Sequence, residues 1–167
     1  CREFQKWNSG YKITRGYLND PEAKSIFVAS FKRNFPKLCK GRNIVIIDAT
    51  SFRNPDRDPR LVKHIGRHHE TLKSVVTADN FVEVHDPLKD LKRDEQNLVV
   101  EVCVSGRHRS VAGGEAIIES VHLNLYNLRE GSVRAANLQA ETHWENLCRS
   151  SCSDCKIDHP NNVVTLR

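Results

Sequence analysis

Apolar positions along the chain fall into a few dense runs separated by long polar stretches. Residues 43–48 (NIVIID) are β-branched and apolar on both faces, the pattern of a central parallel strand. Residues 97–104 (NLVVEVCV) form the clearest buried strand. A third short run, residues 25–31 (SIFVASF), also reads as a strand. Val111, Gly114, Ile117, Ile118, Val121, Leu125 and Leu128 recur at helical spacing, and Gly131 follows as a stop. Leu61, Ile65, Leu72, Val75 and Val76 carry a weaker helical pattern that Gly66 interrupts. Residues 83–96 are charge-rich and predict a surface helix after Asp86-Pro87, and residues 132–138 predict a last short strand. Strands alternating with helices define an α/β class, a layered domain with a largely parallel or mixed sheet.

A chain of 167 residues suits one domain. The polar start, with Gly10, Gly16, Asn19, Asp20 and Pro21, predicts an arm over 1–22 that ends in a turn. The α/β domain then spans 23–140, and a Cys/His-rich tail spans 141–167. The chain opens on Cys1 and contains no Met, as expected of a fragment or processed piece. The net charge of +5 favours an anionic partner without naming it. No run approaches the roughly 18 apolar residues of a membrane span, and the first twenty residues are too polar for a signal peptide. Three of the six cysteines crowd into 148–155, a pattern of metal or reactive-thiol use in a reducing intracellular compartment such as the cytoplasm.

The chemistry concentrates in residues 103–110, CVSGRHRS, between the second strand and the periodic helix. Ligands gather at the carboxyl ends of parallel strands, where helix amino-termini present amides without intrahelical acceptors. Gly106 permits a tight curl, Arg109 offers a planar fork for phosphate oxygens, Arg107 and His108 add positive charge, and Ser110 can cap the helix or donate to the anion. The spacing also fits C-x5-R-[ST], the signature of cysteine-dependent phosphatases. In that reading Cys103 is a thiolate nucleophile, Arg109 stabilises the transferring phosphoryl group, and Asp86 or Asp48 is the general acid.

CVSGRHRS after an apolar strand resembles the C-[TS]-G-G-x-H-R-S loop of the C-terminal domain of the RNase adapter protein RapZ family. IIDATSFRNPDRDPRL resembles that family's D-x-R-x-x-x-NP-x-x-x-P-x-L segment, and the likeness covers roughly residues 25–140. It implies an α/β fold that binds a phosphorylated amino sugar and a small RNA and is not a phosphatase. It further implies phosphate contacts from Cys103, Ser105, Gly106, His108, Arg109 and Ser110, with Asp48 and Asn54 shaping the adjacent loop. Thr50 replaces the family's Arg, His68 replaces its Asp, and the family's kinase-like amino-terminal half has no counterpart here.

In the tail, Cys148, Cys152, Cys155 and His159 give C-x3-C-x2-C-x3-H, a spacing that predicts a structural zinc ion for a segment too polar to fold alone. His143 is a spare ligand. His64 and His68 share an i, i+4 face that reads as a solvated basic surface, and Lys32, Arg33, Lys37, Lys40 and Arg42 extend the positive charge. The expected function is therefore binding of a phosphorylated ligand, a sugar phosphate or RNA backbone. A cysteine-dependent phosphatase and a zinc-stabilised interaction domain, in a homo-oligomer or larger assembly, are the alternatives.

Overall fold

The computed structural model describes residues 14–104, 106–122 and 152–155. Two strands, β1 (Arg42–Asp48) and β2 (Gln96–Val102), pair in parallel from Arg42 opposite Gln96 to Asp48 opposite Val102. Three longer helices surround them: α1 (Pro21–Asn34), α2 (His69–Val76) and α3 (Arg109–His122). The fold is α/β.

The sheet is covered on both faces, and the alternation of the strands shows how. Ile44, Ile46, Val100 and Val102 turn to one side and pack with Leu18, Phe27 and Val28 from α1 and the 3-10 turn Tyr17–Asn19. Val45, Ile47 and Val99 turn to the other side and meet Ile117 of α3 together with Val84, Leu88 and Leu91. Each large side chain so buried contributes about 1.5–3 kcal/mol. Double coverage is why both strands read as largely apolar runs. At the start of β2, buried Asn97 replaces apolar packing with hydrogen bonds. Its amide donates to the Lys92 and Glu95 carbonyls at 2.8 and 3.2 Å, and its oxygen accepts from Asn43 at 2.9 Å.

One predicted strand is corrected. Residues 25–31 lie inside α1, because Asp20 accepts hydrogen bonds from the backbone of Glu22 and Ala23 and Pro21 occupies the first helical turn. Phe27, Ser30 and Phe31 then fall on one helical face, with the Phe27 and Phe31 rings stacked 6.4 Å apart. Residues 83–96 are likewise not one helix: a short helical turn (Phe81–Val84) and a 3-10 segment (Asp86–Asp90) precede an extended approach to β2. Leu61 and Ile65 are buried, yet α2 begins only at His69. The expected strand at 132–138 lies outside the described residues. Among the described residues no helix is long and apolar enough to cross a membrane.

Candidate anion loop and metal-ligand cluster

The loop leaves the carboxyl end of β2 and delivers the chain into α3. Cys103 is buried beside Ala49, Phe52, Val75 and Ala112, and its Sγ lies 3.1 Å from the Ser110 hydroxyl. The two ends of the loop thus meet across seven residues. Between them Gly106 adopts φ 61°, a left-handed conformation that side chains with a Cβ disfavour. Ser105 lies outside the described residues.

The arginines are held from behind. Arg107 pairs with Asp56, which stands in the 3-10 turn Pro55–Arg57 that follows β1. Arg109 is buried as the first residue of α3, and its Nη1 donates to the Thr50 carbonyl at 2.5 Å and the Phe52 carbonyl at 3.3 Å. Instead of standing free at the mouth of the loop, Arg109 ties the start of α3 to the turn after β1. His108 is buried too. Its Nε2 donates to the His64 carbonyl at 2.7 Å, and its Nδ1 lies 3.3 Å from Asp56 Oδ1. Burial and the neighbouring Arg107 charge push this imidazole down to about 4, so it is neutral at pH 7.

A strip of chain before α2 supports the loop. The Gly66 amide donates to the Arg107 carbonyl at 2.9 Å. A Cβ on Gly66 would run into the His108 carbonyl oxygen and the Ala112 nitrogen, so the loop seats directly on the Gly66 backbone.

The carboxylates named from sequence are committed elsewhere. Asp48 accepts from the Thr50 amide at 2.9 Å and the Leu18 amide at 3.1 Å, capping the turn after β1 and fastening the preceding segment. Asn54 accepts from the Asp56 amide at 3.2 Å and caps the next turn. Asp86 is exposed and pairs with Lys89.

Cys148 and His159 lie outside the described residues, but Cys152 and Cys155 are placed against the domain. Cys155 is buried with Ile65 and Val111, and its Sγ lies 3.5 Å from His64 Nδ1. His64, His68 and Cys152 bring three ligand atoms within 4.8 Å of one another, a group that could hold a metal ion. His68, His69 and Asp154 form a second such group. His64 and His68, read from sequence as a solvated face, are half-buried.

Three participants were given no role at the site by the sequence reading. Asp56 was signalled only by lying after the carboxyl end of β1, next to the loop's own strand. Gly66 looked like a helix breaker, and its close approach has no sequence signal of its own. Glu101 was visible as a lone charge inside an apolar strand, which demands a partner. That partner is His85, 3.4 Å away.

Comparison with protein-family models, curated proteins and solved structures gave no match.

Proposed function

We propose that residues 103–110 bind the phosphate of a phosphorylated ligand, a sugar phosphate or RNA backbone. The observation that carries this reading is the 3.1 Å approach of Cys103 Sγ to Ser110 Oγ, which curls the loop at the start of α3. The amides of the first helical turn have no intrahelical acceptors, and the macrodipole of α3 favours an anion there. Arg107 adds a guanidinium at the same place, and the net charge of +5 draws anions to the surface.

Among the described residues, binding is favoured over turnover because the two carboxylates considered for the acid of a phosphatase are engaged elsewhere. Both oxygens of Asp48 accept backbone hydrogen bonds, and Asp86 is paired with Lys89. Arg109 serves as the strut that holds the loop in register. Zinc belongs to this reading as a structural ion for the cysteine-rich tail.

Titration with inorganic phosphate, an amino-sugar phosphate and a short RNA at two salt concentrations tests it. Arg109→Ala is expected to abolish binding and Cys103→Ser to leave it largely intact, with RNA affinity falling as salt rises. An aryl phosphate hydrolysed by the wild type but not by Cys103→Ser would instead establish the phosphatase.

A further inference from the structure

Residues 152–155 dock on the strip that supports the loop, although His64 and Cys155 are 91 residues apart in sequence. The Ile65 amide points at the Cys155 sulfur at 3.5 Å, as amides do toward thiolates in metal knuckles. His69 Nδ1 and Asp154 Oδ2 meet at 2.6 Å and pin the outer edge of the docked segment. Between these fastenings two imidazoles are crowded together. The His64 and His68 ring centroids are 3.9 Å apart, and Cys152 brings its sulfur into the same space.

Among the described residues, His68 Nδ1 is buried with no hydrogen-bond partner. A tetrahedral zinc ion, with bonds near 2.0 Å to nitrogen and 2.3 Å to sulfur, sets those donors about 3.5 Å apart. The His64 to Cys155 separation already has that value. Two thiolates and two imidazoles select zinc over the hard cations that prefer oxygen.

We propose that His64, His68 and Cys152 ligate a zinc ion, with Cys155, the second thiol of the Cys-x2-Cys pair, closing the coordination. This rests on the reading of zinc as the tail's structural ion and replaces Cys148 and His159 with two histidines of the domain. The ion then does more than order the tail. The His64 carbonyl accepts the His108 hydrogen bond, and the Gly66 amide donates to the Arg107 carbonyl, so zinc fixes the strip on which the loop rests.

Zinc content and affinity of the full chain test the assignment, measured by elemental analysis and by competition with a chromophoric chelator. Wild type is expected to hold about one zinc per chain, and cobalt in its place to show tetrahedral bands with thiolate charge transfer. His64→Ala, His68→Ala, Cys152→Ser and Cys155→Ser should each weaken binding by more than about tenfold, while Cys148→Ser and His159→Ala should not. Zinc that depends on Cys148 and His159 but not on the two histidines overturns this ligand set and leaves the tail's zinc standing. A chain without zinc, or with a Cys152–Cys155 disulfide in its place, overturns both. Should the ligand variants fail to fold, chelator added to wild type decides: an unchanged thermal midpoint overturns the site.

Discussion

The Glu101 carboxylate and the His85 imidazole face each other at 3.4 Å, with both side chains sealed from solvent. Burial pushes the Glu101 carboxyl up, and the neighbouring His85 ring pulls against it. For His85, burial opposes the charged ring, but the nearby Glu101 carboxylate, with help from the Phe81 carbonyl, lifts it above its ordinary value. The pair therefore holds its proton more tightly folded than unfolded. Because both groups are raised, its stabilisation is fully present only below the unfolded carboxylate value and is lost as pH rises through the folded values of Glu101 and then His85. The stability advantage of wild type over Glu101→Gln should narrow between about pH 6 and 9, read from urea midpoints. An advantage that stays constant across that range would remove the pair as a titrating unit.

Gly113 sits against this pair. A Cβ there would collide with the Glu101 carboxylate, so Gly113→Ala should cost about 1–3 kcal/mol of unfolding free energy. Combined with Glu101→Ala, the loss should be smaller than the sum of the two single losses, because the collision is relieved. Additive losses in urea melts would show that the glycine acts through some other contact.

His108 predicts the opposite pH dependence. Its imidazole is held at about 4, so as pH falls below the ordinary histidine value the unfolded chain takes a proton that the folded chain refuses. Stability should drop between about pH 6.5 and 4, by up to about 3 kcal/mol. His108→Gln should flatten that drop, and the ring protons of His108 in a nuclear magnetic resonance titration should stay unshifted down to pH near 5.

Gly66→Ala is the sharpest test of how the loop is seated. The new methyl group would meet backbone atoms of residues 108 and 112, which cannot swing aside as a flexible side chain does. Destabilisation of about 2 kcal/mol or more is expected, with loss of inorganic phosphate binding in titration calorimetry. Full binding in this variant would mean that the loop does not need the strip beneath it.

Arg109→Ala removes the donor to the Thr50 and Phe52 carbonyls and should cost roughly 1–3 kcal/mol. Thermal melts of Arg109→Ala beside Arg107→Ala check this. The half-buried Arg107, paired with Asp56 nearer the surface, should cost less.

The strands and the strand–loop–helix unit were legible because β1 and β2 are covered on both faces and α3 keeps a strict helical period. Residues 25–31 misled because seven apolar-rich residues are too short to separate the two periods. The deciding signal was Asp20-Pro21 upstream, which caps a helix as readily as it ends a turn. In the loop, the residue types were legible but their direction was not. Arg109 carries the same charge whether it faces an anion or the carbonyls behind it, and only the position of the turn after β1 distinguishes the two. The tail's potential metal ligands showed in its cysteine spacing, whereas the approach of His64 and His68 to Cys152 depends on a tertiary contact that no local pattern encodes.

The parallel pairing of β1 with β2 has a kinetic consequence. Arg42 and Gln96 are 54 residues apart, so the sheet cannot close until a long stretch of chain has given up its freedom. Such non-local pairing slows folding. Residues 103–110 need β2 in place at one end and Gly66 beneath them, so they are among the last parts to be assembled. A newly made or partly opened chain exposes Cys103 as an ordinary thiol, and it is shielded only once the whole domain has formed.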